Sequence, residues 1–220
     1  MLNPMGSINS PQARIDADNF IQLRCNINQV KIMADKKEVV VFGGGCFWCT
    51  EAIFEMLKGM ISVMPGYTGG RPPRNGKQVT YEEVCSGRSG HAEVIKIEFD
   101  PAQISFNDLL TVFFSTHDGT TLNQQGNDVG TQYRSAIFYT TDEQKQETEK
   151  FIKELNDADQ NDKPLVTEIK PLETFYEAEK YHRQYYKNNA SQSYCHAIIG
   201  PKIDKLRTKF NALLKEEEKN

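Results

Sequence analysis

The feature that most constrains this chain is the run Gly43-Gly44-Gly45-Cys46-Phe47-Trp48-Cys49. It follows four apolar residues, Val39–Phe42, and precedes the helix-like run Thr50–Lys58, which stops at Gly59. Because glycine lacks a Cβ, the pattern predicts a buried strand, a sharp turn and a helix that begins beside Cys46. Unpaired N–H groups and the helix dipole stabilise an anion there, so we expect a lowered pKa for the Cys46 thiol and cysteine-based chemistry.

Size and charge narrow the class of protein. A chain of 220 residues is sufficient for one well-packed domain. The formal net charge of −4 argues against nucleic acid or an anionic membrane as the main partner. No apolar run is long enough to span a bilayer, and the first residues lack the basic and apolar parts of a signal peptide. Five cysteines, an odd number, do not suggest a disulfide framework, so we expect free thiols and a cytoplasmic location.

Three segments are predicted along the chain. Residues 1–34 contain proline and glycine breakers and no clear amphipathic pattern, so we expect a flexible N-terminal extension. Residues 35–214 are predicted to form the catalytic domain. The charged residues 215–220 are predicted to be a solvated tail.

Hydrophobic periodicity predicts alternating strands and helices from about residue 37. The predicted strands after the first are Ile61–Met64, His91–Phe99, Tyr133–Tyr139 and Leu165–Lys170. The predicted helices after the first are Thr80–Val84, Ser105–Phe114 with a capping box formed by Ser105 and Asp108, Asp142–Asn156, Ala178–Lys187 and Pro201–Leu214. Because helices and strands intermix, the simplest packing is an α+β two-layer domain with a mixed sheet.

The pair Cys46-x-x-Cys49 allows two kinds of chemistry. The spacing suits a reversible disulfide at a helix start, and it also suits half of a zinc site. A zinc site would have to borrow Cys85, Cys195 or a histidine without any standard spacing. The four histidines are dispersed, so we interpret them as structural or surface residues and predict no metal.

Two adjacent aromatic residues, Phe47 and Trp48, lie beside the predicted nucleophile, and Trp48 is the only tryptophan of the chain. One interpretation is that both belong to the core of the strand–helix junction. The other is that they form an aromatic wall for a small apolar group. The sequence pattern leaves both interpretations open.

Glu93 is the acidic residue whose position is most clearly suited to catalysis. In the predicted strand His91–Phe99, alternation places it on the same face as the apolar side chains Ile95 and Ile97. Burial disfavours the charged form of a carboxyl group, so we expect a raised pKa and a proton donor near neutral pH. The alternative is a paired glutamate at a frayed strand end.

Other polar residues carry weaker signals. Tyr81 and Tyr133 are two of nine tyrosines, and either could donate a hydrogen bond in a pocket. Asp128 lies in the Gly-containing segment Gln125–Gly130, where turn formation is an alternative role.

Two further cysteines, Cys85 and Cys195, are less clearly placed by the sequence. Cys85 lies in a short predicted helix, where we expect a small buried apolar side chain. Cys195 lies in the less regular stretch Ser191–Cys195, from which a mobile thiol could approach Cys46 and form a disulfide.

Taken together, these motifs resemble one family, the A-type peptide methionine sulfoxide reductases, which reduce the S epimer of methionine sulfoxide. The resemblance extends from about Val39 to about Tyr194. It depends on several motifs that follow one another along the chain in the order typical of the family: Gly44–Trp48, Gly66–Gly70, Tyr81–Gly87, Gly90–Glu93, Gln125–Ile137 and Ala178–His182. The resemblance implies a ferredoxin-like α/β plait with flanking helices and an irregular C-terminal segment.

The resemblance also implies catalytic roles. Cys46 would attack the sulfoxide sulfur and become a sulfenic acid as methionine leaves. Glu93 would protonate the sulfoxide oxygen, with Tyr81 and Tyr133 as hydrogen-bond donors to it. A sulfoxide oxygen is a poor leaving group unless it is protonated, so a neutral acid beside a thiolate fits the reaction.

Substrate binding and recycling follow from the same resemblance. Phe47 and Trp48 would hold the S-methyl group, and Asp128 would orient the site. A second cysteine would condense with the sulfenic acid, and thioredoxin would reduce the resulting disulfide. We favour Cys195 for its C-terminal placement, although Cys49, which stands where the family commonly has glycine, and a relay through both remain open. Free or protein-bound methionine sulfoxide is the expected substrate of a monomer with no bound cofactor.

Overall fold

The structure is a computed structural model that describes residues 37–73, 76, 78–158 and 163–219. Within these residues the strands are β1 (Glu38–Gly44), β2 (Met60–Thr68), β3 (Ala92–Phe99), β4 (Gln124–Gln125), β5 (Asp128–Val129), β6 (Ser135–Tyr139), β7 (Glu168–Pro171) and β8 (Tyr176–Glu177). The α-helices are α1 (Phe47–Glu55), α2 (Tyr81–Cys85), α3 (Phe106–Thr116), α4 (Asp142–Ala158), α5 (Tyr185–Asn188) and α6 (Gly200–Phe210). The predicted extension, residues 1–34, lies outside the described residues.

A mixed sheet with the strand order β7-β6-β1-β3-β2-β8 forms the centre of the described domain. Neighbouring strands are antiparallel from β6 to β8, whereas β6 and β7 are parallel. Strands β4 and β5 pair separately as a small hairpin. The structure therefore confirms the predicted α+β fold with a mixed sheet and flanking helices.

After its first residue, Glu38, strand β1 has no polar side chain because it is central in the sheet and covered on both faces. Val40 and Phe42 belong to the larger core cluster, which includes the buried side chains of α1 and α3. Val41 points to a smaller cluster that also contains Val94 and Phe138. A strand that is buried on both faces appears in sequence as a continuous apolar run, as residues 39–42 do.

Local capping signals position the helices that flank the sheet. The predicted capping box forms as expected, with the Ser105 side chain accepting from the Asp108 N–H and the Asp108 carboxylate accepting in return. A second capping box, formed by Thr80 and Glu83, starts the short helix α2. This second box positions Tyr81, the first residue of α2, which lines the cavity beside Cys46 described below.

The prediction of a helix over Ala178–Lys187 is wrong. The segment contains a 3₁₀ turn at Lys180–His182, a left-handed residue at Gln184 with φ of 51°, and only then the one-turn helix α5. Tertiary hydrogen bonds override helical propensity here, because the Glu179 carboxylate accepts from the Tyr67 hydroxyl and the Tyr81 N–H.

Several element ends also differ from the prediction, most clearly in β2 and in the last α-helix. The strand predicted over Ile61–Met64 extends over Met60–Thr68, since it pairs with β3 along its length. The last α-helix ends at Phe210 and continues as a 3₁₀ turn, Asn211–Leu213. Among all the residues that the structure describes, no helix has the length and apolar character that a membrane crossing requires.

Candidate active site

The predicted strand–turn–helix around Cys46 is present. Strand β1 ends at Gly44, and Cys46 is the N-cap residue of α1. Gly45 makes the turn with φ of 90°, and a Cβ at this position would lie 2.6 Å from the Gln125 side chain. Only glycine fits this left-handed, crowded position, so the turn fixes where Cys46 stands.

A cavity of about 190 Å³ opens beside Cys46. The residues that line it come from α1, α2, β3 and the segments after β4 and α5: Cys46, Phe47, Trp48, Tyr81, Glu93, Asp128, Tyr133 and Tyr194. The fold thus brings together seven side chains that the sequence singled out, although they are spread over nearly ninety positions from Cys46 to Tyr133.

Glu93 is the buried acid of the cavity. It lies on β3 with only 2% of its surface exposed, and its carboxylate accepts a hydrogen bond from the Phe47 N–H at 3.1 Å. Burial is the main reason that its pKa rises to about 8, with further contributions from the charges of Asp128 and Cys49. The predicted half-buried acid with a raised pKa is therefore confirmed, and its carboxyl group is mostly neutral at pH 7.

The expected lowering of the Cys46 pKa is wrong. A hydrogen bond with Cys49, burial and the nearby Glu93 carboxyl group raise the pKa of the Cys46 thiol well above its usual value. The same hydrogen bond lowers the pKa of Cys49 to about 7. The helix-dipole argument omits these three causes, of which the hydrogen bond with Cys49 is the largest. The first helical N–H, that of Phe47, donates to the Glu93 carboxylate. Within the pair, one negative charge near neutral pH resides more favourably on Cys49.

The other two described cysteines lie outside the cavity lining. Cys195 is in a π-helical turn, Cys195–Ile199, and its side chain is fully buried. Burial and the charge of Cys49 raise the pKa of the Cys195 thiol. Cys85 is exposed on α2, so the expectation that it would be a small buried side chain is wrong. Its helix has a single buried position, Val84, and Cys85 follows on the solvent side.

Phe47 and Trp48 serve both as core and as cavity wall, so the two alternatives left open by the sequence are compatible. Phe47 is buried and packs against Tyr67 with ring centroids 5.8 Å apart. Trp48 is partly buried, and its indole N–H donates to His182 Nδ1 at 3.1 Å. His182 is a buried residue with this specific partner, consistent with the structural role predicted for the histidines.

Tyr81 and Tyr133 supply hydroxyl groups to the cavity. Burial raises the pKa of both phenols, with a further contribution from the Glu93 charge, so both remain protonated donors at neutral pH. The Tyr81 backbone is fixed by a 2.9 Å hydrogen bond to the Glu179 carboxylate.

Tyr194 is the cavity residue that the sequence analysis missed. Its hydroxyl lies 3.3 Å from Asp128 Oδ2, to which it donates, and 3.8 Å from the Cys49 sulfur. It is one of nine tyrosines, and only its position next to Cys195 could have drawn attention to it. Asp128 therefore lines the cavity and makes a tertiary hydrogen bond there.

Metal binding has no support in the described residues. In residues 37–73, 76, 78–158 and 163–219, no group of three or more histidine, cysteine, aspartate or glutamate side chains is placed to hold a metal ion. The reactive groups that the cavity offers are a thiol pair, a neutral carboxyl group and phenol donors beside two aromatic rings. Such a set suits a thiol-dependent enzyme that acts on a small apolar group.

Comparison with known proteins agrees with this class. A family model described as "Peptide methionine sulfoxide reductase" matches residues 38–214. A "Peptide methionine sulfoxide reductase MsrA" from Deinococcus radiodurans is 51% identical over 179 residues, which cover 81% of this chain and 85% of the relative. One from Saccharolobus solfataricus is 49% identical over 181 residues, covering 82% of this chain and 99% of the relative.

Solved structures give the same result. The reduced form of Mxr1 from Saccharomyces cerevisiae matches with a TM-score of 0.68 and 34% identity, covering 73% of this chain and 90% of that one. Methionine sulfoxide reductase A of Corynebacterium diphtheriae matches with a TM-score of 0.61 and 32% identity, covering 71% and 76%. The chain belongs to the A-type peptide methionine sulfoxide reductase family and is an oxidoreductase.

Proposed function

We propose that this enzyme reduces the S epimer of methionine sulfoxide, free or in proteins, to methionine through a sulfenic acid on Cys46. The observation that carries the proposal is the neutral carboxyl group of Glu93 in the same cavity as the Cys46 thiol. A thiol nucleophile can displace a sulfoxide oxygen only when an acid protonates that oxygen, and this cavity holds both groups.

The chemical step begins when the proton shared by the two sulfurs moves toward Cys49, leaving Cys46 as the thiolate. The Cys46 sulfur attacks the sulfoxide sulfur while Glu93 gives its proton to the oxygen. The sulfur–oxygen bond of the substrate and the transient bond between the two sulfurs then break, while the hydroxyl group is transferred to the Cys46 sulfur. Methionine leaves with two more electrons than the sulfoxide had, and Cys46 is oxidised to a sulfenic acid.

The remaining cavity residues would orient the substrate. The phenols of Tyr81 and Tyr133 would donate to the sulfoxide oxygen, since their raised pKa values keep them protonated. Phe47 and Trp48 would contact the S-methyl group. Asp128, held by the Tyr194 hydroxyl at 3.3 Å, would bind a donor of the substrate backbone.

For recycling we propose a relay. Cys49 condenses first with the Cys46 sulfenic acid, which releases water and forms a disulfide, because its thiol already contacts Cys46 and its pKa is about 7. Cys195 then attacks the Cys49 sulfur, frees Cys46 as a thiol and forms a Cys49–Cys195 disulfide. The charge of Cys49 contributes to the raised pKa of the Cys195 thiol, so the two residues are close enough to interact electrostatically. Thioredoxin would reduce the final disulfide and become oxidised.

The relay predicts how much methionine the enzyme forms without a reductant. Wild-type enzyme should yield about two methionines per chain, because Cys46 is regenerated once, whereas the C195S and C49S variants should each yield about one. Chromatography of methionine and mass mapping of the disulfides measure this. The C85S variant, which alters an exposed thiol, is the matched control and should resemble wild type. Two equivalents from C49S would exclude Cys49 as the first partner.

The overall function is tested with the two epimers. The S and R epimers of a blocked methionine sulfoxide are supplied separately, with dithiothreitol and then with thioredoxin, and methionine is quantified. We expect consumption of the S epimer only. If neither epimer reacts while Cys46 is reduced, the proposed function is wrong, and the Cys46–Cys49 pair would then be tested for disulfide exchange.

We also propose that the centre of the domain is a ferredoxin-like plait. The chain order β1-α1-β2-β3-α3-β6 and the spatial order β6-β1-β3-β2, with antiparallel neighbours, support this proposal. The remaining strands of the sheet, β7 and β8, would be additions at its two edges.

A further inference from the structure

The ring of Trp48 is fixed by a neighbour outside the cavity lining. The Tyr185 ring lies parallel to it, with centroids 3.6 Å apart and an angle of 6° between the planes. Tyr194 meets the indole edge-on at 5.9 Å, and His182 accepts the indole N–H. One face of the indole is therefore covered, which leaves Trp48 a single orientation in the cavity wall.

The position of Tyr185 depends on an unusual backbone conformation just before it. Gln184 has φ of 51° and ψ of 37°, a left-handed conformation that residues other than glycine rarely adopt. Such a conformation persists only when surrounding contacts hold it. Two carboxylates on α1 supply them: Glu51 accepts from the Gln184 N–H at 2.8 Å, and Glu55 accepts from the Gln184 side chain at 3.2 Å.

Glu51 is almost completely buried, although charged side chains are normally exposed. It follows Trp48 by three positions on α1, and only 1% of its surface is exposed. Its Oε2 atom has no hydrogen-bond partner among the described residues, although an isolated buried polar atom is costly. Burial raises the pKa of Glu51 to about 7, so both protonation states occur at neutral pH, and each offers an acceptor oxygen to the Gln184 N–H.

We infer that Glu51 is a positioning residue whose carboxyl group, by holding the Gln184 backbone, stacks Tyr185 on Trp48 and so fixes the methyl-binding wall of the site. This inference rests on the proposed function for the role of that wall. The contacts themselves, from Glu51 through Gln184 and Tyr185 to Trp48, do not depend on the reaction.

The test compares E51A with E51Q. E51A loses the acceptor, so we expect the KM for methionine sulfoxide to rise about 3- to 10-fold, with a smaller change in the single-turnover rate constant at saturation. E51Q keeps an acceptor oxygen and should restore both values to near wild type. Because Trp48 is the only tryptophan, its fluorescence reports the stack directly and should change in E51A but not in E51Q.

Variants of Tyr185 test the same chain of contacts if E51A does not fold. Y185F retains the stacked ring and should behave as wild type, whereas Y185A should reproduce the E51A changes in KM and fluorescence. Y186A removes the neighbouring tyrosine of α5 and is the matched control, expected to leave the Trp48 fluorescence unchanged. The double variant E51A/Y185A should be no worse than Y185A, because both changes break one chain of contacts.

Two results would overturn the inference. One is unchanged fluorescence and KM in both E51A and Y185A. The other is failure of E51Q to restore what E51A loses. By contrast, if wild-type enzyme reduces neither epimer while Trp48 fluorescence still responds to E51A and Y185A, the contact chain stands and the proposed function fails.

Discussion

Replacement of Cys46 by serine should lower the rate of sulfoxide reduction by more than about 1,000-fold, because a serine hydroxyl has neither the acidity nor the nucleophilicity of a thiol. The loss should appear in a single turnover and with every reductant, since the defect precedes recycling. Rapid-quench measurement of methionine formed per chain checks this. The side chain is small and lies at an N-cap position that serine favours, so the fold should survive.

The C85S variant controls for loss of a thiol as such, because Cys85 is exposed and outside the cavity lining, and serine keeps a group that can hydrogen-bond with Tyr81. It should keep nearly wild-type single-turnover activity. Substantial methionine formation by C46S would remove Cys46 as the nucleophile. Attention would then pass to Cys49, whose pKa of about 7 makes it the other described thiol capable of attack near neutral pH.

Replacement of Glu93 by glutamine should slow the chemical step about 10²- to 10⁴-fold, the range that general acid catalysis contributes. Glutamine keeps an acceptor oxygen for the Phe47 N–H but has no proton to give to the sulfoxide oxygen. In wild type the single-turnover rate constant should fall as the pH rises through about 8, where Glu93 ionises. In E93Q that fall should be absent. A wild-type rate in E93Q at neutral pH would exclude Glu93 as the acid.

The same substitution should stabilise the protein, which separates a catalytic loss from a folding defect. The pKa of Glu93 is about 8 in the folded chain against an ordinary value of 4.5, so between these pH values folding binds a proton and stability falls as pH rises. E93Q lacks this penalty and should gain about 2–4 kcal/mol in the free energy of unfolding at pH 8, with no gain near pH 4. Urea titrations at the two pH values measure this, and a less stable E93Q at pH 8 would contradict the burial argument.

Several elements were predictable because their signals are local. The continuous apolar run before Gly43 predicted a buried strand, and the Ser105–Asp108 capping box predicted the start of α3. Alternation around Glu93 predicted that its carboxyl group points into the core, which the structure confirms. Hydrophobic periodicity and helix capping depend on residues within a few positions of one another, so both can be recognised from the sequence alone.

Other features were not predictable because distant residues decide them. The segment 178–187 has helical composition, yet the Glu179 carboxylate accepts from the Tyr67 hydroxyl, the Glu51 carboxylate accepts from the Gln184 N–H, and the segment forms turns. The pKa of Cys46 rises because of its hydrogen bond with Cys49, its burial and the charge of Glu93, which is forty-seven positions away in the sequence. Tyr185 and Tyr194 contact Trp48 because the C-terminal segment folds back against α1.

The sequence by itself determined the family, the α+β class, the turn that presents Cys46 and the set of chemical groups in the site, because these follow from residue types, local periodicity and motifs in fixed order. Only the tertiary structure decided the protonation of those groups, the cysteine that contacts Cys46 and the support behind Trp48. Those properties depend on burial and on contacts between side chains that are far apart along the chain, and they exist only after the sheet and helices have packed.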